Sequence, residues 1–146
     1  MLREATIDDL DGIIELAKFW LEESGEDLSF SPDHFRETYI HNFTSPDIYL
    51  YVLDYDGTIV GLGVMSIRHI LFQEKIARYE WFYTHRSIRG SGLPLKLAEF
   101  LRDLSLENGA RIIVADTIFT RYARVFKNMF KKLGFEQAGY TMIYRS

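Results

Sequence analysis

The chain contains no cysteine, which excludes disulfides, thiolate metal sites and any acyl-cysteine intermediate. It has no excess of positive charge either. Lys and Arg number 17 against 21 Asp and Glu, a net charge of −4 that argues against a general nucleic-acid binder and suits a chain that attracts amines. No apolar stretch approaches a membrane span, and the opening Met1-Leu2-Arg3-Glu4-Ala5 lacks the apolar run of a signal peptide. A cytoplasmic protein with no membrane partner is expected. His34, His41 and His69 show no metal-ligand spacing and no acidic pair forms a metal motif, so no metal is expected. Internal repeats, linkers and low-complexity segments are absent. At 146 residues and 47% apolar content, one domain over residues 1–146 with one sizeable core is expected.

What is present begins with a short strand, Leu2 to Thr6. Thr6 can cap a helix, with Asp9 where a capping-box acid sits, and Leu10, Ile13, Ile14, Ala17, Trp20 and Leu21 fall at helical spacing from Asp8 to about Glu23. Ser31-Pro32 opens a second helix that runs to about Asn42. From Asp47 the period changes to two. Tyr49 to Leu53 and Thr58 to Ile67 flank Asp56-Gly57, a hairpin signal, and Ile76 to Thr84 completes an antiparallel meander. Gly92 to Glu107 reads as a helix ending at Asn108-Gly109, followed by Arg111 to Asp116, an apolar run of the kind buried on both faces of a sheet. Strand, helix and strand here make a βαβ crossover. Thr120 can cap a last helix with Tyr122, Val125, Phe126, Met129, Phe130 and Leu133 on one apolar face, and Glu136 to Tyr144 reads as terminal strands. The fold class is α/β with a central mixed sheet and about four helices.

The most informative stretch is Tyr79 to Pro94, a strand running into a small glycine loop that opens a helix. Amides at a helix N-terminus lack intrahelical partners and carry the positive end of the dipole, so Arg89-Gly90-Ser91-Gly92-Leu93 is suited to an anionic phosphate. The alternative is a plain tight turn. A Rossmann or P-loop domain is disfavoured, because the loop follows a meander and neither G-x-G-x-x-G nor a Walker lysine is present.

The order of elements resembles the GNAT superfamily of N-acetyltransferases over nearly the whole chain. Its R-x-x-G-x-G/A loop is matched by Arg89-Gly90-Ser91-Gly92-Leu93 with Pro94 last, and Phe130-Lys131-Lys132-Leu133-Gly134-Phe135 is similar to its Y-E-K-L-G-F ending. Leu2-Arg3-Glu4-Ala5-Thr6-Ile7-Asp8-Asp9-Leu10 is similar to many first strands and helices of the family. The resemblance implies acetyl-CoA in a gap between splayed strands, with the pantetheine arm along Phe82, Tyr83 and Thr84 and the pyrophosphate on the amides of Arg89, Gly90, Ser91, Gly92 and Leu93. Arg86, Arg89, Lys96 and Lys127 or Lys131 are available to neutralise phosphates. Pro94 removes one possible donor but is favoured in a first helical turn.

The implied activity moves an acetyl group to an amine acceptor by direct attack, with no acyl-enzyme. Glu80, at a place where the family often carries glutamate, is the candidate base; lying among Tyr79, Trp81 and Phe82, it is placed for the desolvation a base needs. A solvent-facing residue pairing with Arg68 or Arg78 is the alternative. Phe130 stands where many members place the tyrosine that protonates the leaving thiolate, and a phenyl ring cannot donate. Tyr122 is the first substitute, although about 12 Å of helix separates the two, with Tyr83, Tyr140 and Tyr144 behind it. Because a thiol pKa is ~8.5, a missing acid slows the transfer without forbidding it. His85 is a base, a phosphate ligand or only a polar turn residue. Glu22, Glu23, Glu26 and Asp27 suit a cationic acceptor, small molecule or protein, and Trp20, Tyr39 and Phe43 line the acceptor side or belong to the core. A homodimer is common in the family. The second hypothesis is a GNAT-fold module that has lost catalysis and binds CoA esters or a protein partner; Phe130 and Pro94 favour it.

Overall fold

The computed structural model describes residues 1–116 and 123–146. At its centre a five-stranded sheet runs β1-β2-β3-β4-β5, made of β1 (Leu2–Glu4), β2 (Ile48–Tyr55), β3 (Thr58–His69), β4 (Lys75–Thr84) and β5 (Ala110–Val114). β1 to β4 pair antiparallel, and β5 joins β4 in parallel. The described α-helices are α1 (Leu10–Ser24), α2 (Pro32–Thr44), α3 (Leu93–Glu107) and α4 (Ala123–Lys132). This is the α/β class with a meander followed by a βαβ crossover.

Local chemistry sets the boundaries. The β2–β3 turn needs positive φ at both central residues, and Asp56 and Gly57 supply 49° and 82°. Asp9 accepts from the Thr6 amide at 2.7 Å, which fixes the 3-10 turn leading into α1. Arg3 on β1 donates to Asp9 at 2.7 and 2.8 Å and to Asp54 at 2.8 Å, so one guanidinium joins the first strand, the α1 entry and the hairpin. Ser31 caps α2 by accepting from the His34 amide at 3.3 Å.

The two sheet faces hold separate cores. On one, α1 and α2 cover Leu50, Val52, Leu62 and Val64 with Ile13, Leu16 and Tyr39. On the other, Met65, Ile67, Ala77 and Tyr79 meet Leu97 and Leu101 of α3 and Phe130 of α4. Removing each such large side chain from water stabilises by roughly 1.5–3 kcal/mol. At Gly63 a Cβ would fall 2.2 Å from Leu101 Cδ1, so the glycine is what lets α3 approach β3.

Three expectations are corrected. The apolar run of β5 is not buried on both faces: Ile113 packs towards α3, whereas Ile112 is 55% exposed. β5 ends the sheet order and α3 covers one face only, so alternate side chains meet water. Val125 is exposed and does not share the apolar face of Phe126, Met129 and Phe130. Residues 135–146 form no strands: Tyr140, Met142 and Tyr144 stand in solvent, since alternation makes a strand only where a neighbour supplies a ladder. Thr120 and Tyr122 lie outside the described residues.

Candidate active site

The parallel ladder between β4 and β5 runs from Lys75 opposite Ala110 to Arg78 opposite Val114, where β5 ends. β4 continues to Thr84, held from Gly61 to Val64 on its other edge by β3. Among the described residues, the β5-facing edge of Tyr79 to Thr84 therefore has no ladder partner. Phe82, Tyr83 and Thr84 border this gap, with Phe82 half-buried and Tyr83 and Thr84 buried. An extended ligand can add to such an edge as a strand would.

β4 leads into the glycine loop through a 3-10 turn, Arg86–Ile88. The amides of Arg89 and Ser91 are used within that turn, bonded to the Arg86 and Ile88 carbonyls, and the Leu93 amide donates to Ser91 Oγ at 3.2 Å. No hydrogen bond among the described residues engages the amides of Gly90 and Gly92. Their φ angles of 83° and 85° require glycine, and an added Cβ at either would meet nothing within 4 Å. Two open amides at the N-terminus of α3 fit a phosphate oxygen. Pro94 is in the first turn of α3, where a missing N–H costs no helical bond.

The Arg89 side chain is committed elsewhere. Its guanidinium donates to Glu23 at 2.8 and 3.2 Å and to the Thr84 carbonyl at 2.8 Å, and lies 5.5 Å from the Tyr83 ring centroid. Glu23 also accepts from the Tyr83 hydroxyl at 2.5 Å. Burial, and then this carboxylate, hold the Tyr83 phenol well above its usual range. The last turn of α1 is thus tied to the end of β4 and to the loop. Phe19, one turn before Glu23, sets its ring 4.6 Å from that of His85. His85 caps the 3-10 turn, its Nδ1 accepting from the Ser87 amide at 3.2 Å. Arg86 and Lys96 are exposed beside the loop and form no ion pair among the described residues.

Glu80 occupies a β-bulge. Val64 lies opposite Trp81 and Met65 opposite Tyr79, so Glu80 has no counterpart on β3. Tyr79 faces α3, while Trp81 and Val64 face α1 and α2. Ser66, on the same face of β3 as Val64, donates to Glu80 Oε1 at 2.6 Å. The bulge therefore turns both Glu80 and Trp81 to the α1–α2 side. Glu80 is exposed, not buried among its aromatic neighbours, and its partner is Ser66 in place of Arg68 or Arg78.

The model of the acetyltransferase (GNAT) family matches residues 13–135. The chain belongs to this family. No curated protein sequence matches it. Among solved structures, glucosamine-6-phosphate N-acetyltransferase from Arabidopsis thaliana is similar at 21% identity and TM-score 0.80, over 99% of this chain and 97% of that one. Aminoglycoside N-acetyltransferase AAC(6')-Iy, in complex with CoA, is similar at 18% identity and TM-score 0.79, over 100% and 93%. A transcriptional regulator from Bacillus halodurans C-125 is similar at 24% identity and TM-score 0.79, over 99% of each chain. At these identities the likeness is one of fold.

In this GNAT chain Phe130 is 3% exposed and sits in an aromatic cluster, with ring centroids 4.4 Å from Phe126, 5.0 Å from Tyr79 and Phe135, and 5.9 Å from Phe82. The nearest hydroxyl in the cluster, that of Tyr79, donates to the Ala98 carbonyl at 2.7 Å. Tyr122 falls outside the described residues, and Tyr140 and Tyr144 are in solvent. On the α1–α2 side, Trp20 and Tyr39 line a cavity together with Trp81, while Phe43 packs with the core. Ser66 and Phe35 were not singled out as site residues by sequence. Glu23 was, as part of an acidic region for a cationic acceptor, whereas its carboxylate is engaged by Arg89 and Tyr83; Ser66 had no signal. Among the described residues no three His, Asp or Glu side chains converge as metal ligands, and no helix is long and apolar enough to cross a membrane.

Proposed function

We propose that the protein, as one domain over residues 1–146, is an N-acyltransferase that moves an acetyl group from acetyl-CoA to an amine acceptor by direct attack. The observation that carries this is the β4–β5 gap opening beside two unengaged glycine amides at the N-terminus of α3. Acetyl-CoA supplies the thioester whose acyl carbon a neutral amine attacks, with CoA thiolate as leaving group. In this chain the Gly90 and Gly92 amides bind diphosphate, with Arg86 and Lys96 adding positive charge. Backbone groups of Phe82, Tyr83 and Thr84 receive the pantetheine arm. Arg89 and Leu93 act as the frame of the loop through Glu23 and Ser91. Glu80, held by Ser66, takes the proton from the amine. The balance is amine plus acetyl-CoA giving N-acetyl amine plus CoA, the proton removed by Glu80 passing to solvent or thiolate. Tyr122 remains the proposed proton donor to the thiolate.

A non-catalytic GNAT module that binds CoA esters or a protein is the second proposal, supported by the buried phenyl ring of Phe130. Thermal unfolding with acetyl-CoA, CoA, ATP and NAD in parallel tests the binding. A ligand at a hundred times its Kd adds ~2.7 kcal/mol, a rise of several degrees for a chain of this size. Stabilisation by the CoA compounds alone is expected; none at millimolar concentration sinks the acyltransferase proposal and leaves of the second only the module that binds a protein. Glu80→Gln then separates them. An enzyme loses about 100-fold or more in kcat with CoA affinity kept, whereas a binding module has no turnover to lose.

A further inference from the structure

We infer that the acceptor is a small amine carried on an aromatic body, seated in the cavity between α1, α2 and β4; this rests on the acyltransferase proposal. The cavity is about 280 Å³, just below the roughly 300 to 1,000 Å³ usual for drug-sized ligands, which suits a smaller molecule. Its wall is mainly aromatic, formed by Trp20, Phe30, Phe35, Tyr39 and Trp81. Phe35 stacks on Tyr39 at 4.2 Å, and Trp81 meets Trp20, Tyr39 and Phe35 edge-on at 6.1 to 6.4 Å. Such walls favour a flat apolar body and, through the ring quadrupoles, a cation at its end.

Polar groups are few. Tyr39 is 9% exposed and no hydrogen bond among the described residues engages its hydroxyl; with Ser29 and the two indole rings it supplies the few polar groups of a mainly apolar wall. A polyhydroxylated sugar amine would bury many hydroxyls there without partners, which selects against it. The amine end has its own attraction. Glu22 and Asp27 are exposed next to the wall residues Leu21 and Leu28, and the bulge sets Glu80 on the same sheet face as Trp81. In this reading the acidic rim attracts the ammonium, and Glu80, on the sheet face of the wall residue Trp81, is the carboxylate that takes its proton while the ring stays in the cavity.

Both tryptophans of the chain line this cavity, so intrinsic fluorescence reports its occupation. The full chain is titrated with 2-phenylethylamine and with glucosamine, with and without CoA, alongside the CoA unfolding assay. The expected result is a saturable fluorescence change with 2-phenylethylamine at a concentration at least about tenfold lower than with glucosamine. Phe30→Ala, a wall change outside the two core clusters' fully buried positions, should weaken 2-phenylethylamine about tenfold and leave CoA stabilisation in place. Equal or tighter glucosamine binding, or no saturable change with either amine, overturns the inference. If CoA stabilises and 2-phenylethylamine does not bind, only the acceptor class falls. If 2-phenylethylamine binds and no CoA compound stabilises, the acyltransferase proposal falls, and the cavity's ligand with it loses its role as acceptor.

Discussion

Glu23 joins the Tyr83 hydroxyl at the end of β4 to the Arg89 guanidinium of the glycine loop through one carboxylate. Tyr83 is 3% exposed, so loss of that acceptor leaves its hydroxyl poorly served by water. Glu23→Ala is expected to destabilise by about 1–3 kcal/mol and to loosen the loop enough to weaken CoA binding. Tyr83→Phe removes the matching hydroxyl, so in a double-mutant cycle by urea unfolding the two changes together should cost less than their sum. Additivity would show that the two groups do not act as a pair. Arg89 shows how a motif can be found while the work of its side chain is not. The family resemblance assigns the residue to phosphates, yet its guanidinium is directed at Glu23, a partner far away in sequence.

At the scale of elements, close approach and charge pairing decide where strands and helices sit. Gly63→Ala would put a methyl 2.2 Å from Leu101 Cδ1, and Leu101 is fully buried with little room to move. Overpacking of this kind costs about 1–3 kcal/mol, readable as a lowered urea midpoint with an unchanged slope. Arg3 holds the Asp9 and Asp54 carboxyls below the usual carboxylate range, chiefly by hydrogen bonds to each. A depressed folded value stabilises above the unfolded pKa of about 3.9 and is lost as pH falls through the folded one. Stability should drop more steeply below about pH 4 in the wild type than in Arg3→Met, which lacks the linkage. Elements with local causes were legible in the sequence: the Asp-Gly hairpin, the Ser31-Pro32 start and the Thr6–Asp9 box each act over a few residues. Those set by distant partners were not. The bulge at Glu80 exists only relative to β3, the exposure of Ile112 depends on which strand ends the sheet, and the terminal alternation found no ladder to join.

For the whole molecule, the sheet separates two faces with separate cores. One face carries α3, α4 and the aromatic cluster around Phe130; the other carries α1, α2 and the aromatic cavity. Tyr39, Tyr79 and Tyr83 lie in both cores, and burial foremost raises each phenol. Raised phenols stabilise below the unfolded value of about 10, and that contribution is lost as pH climbs through the folded values. Alkaline titration should therefore show part of the tyrosinate absorbance appearing only as circular dichroism reports unfolding; full ionisation of every tyrosine in the folded state would contradict the burial. The bulge in β4 carries one more consequence, for how this strand tolerates a change of length. Tyr79 faces one core and Trp81 the other, and their partners Met65 and Val64 are consecutive on β3. Excising residue 80 would leave an uninterrupted alternating strand with every remaining side chain on its present face, whereas excision elsewhere in β4 would invert its neighbours. The ladder thus keeps Glu80 as a surplus position, and a chain one residue shorter there is expected to fold, offering a way to remove the carboxylate, and the kink that aims it, from an otherwise intact molecule.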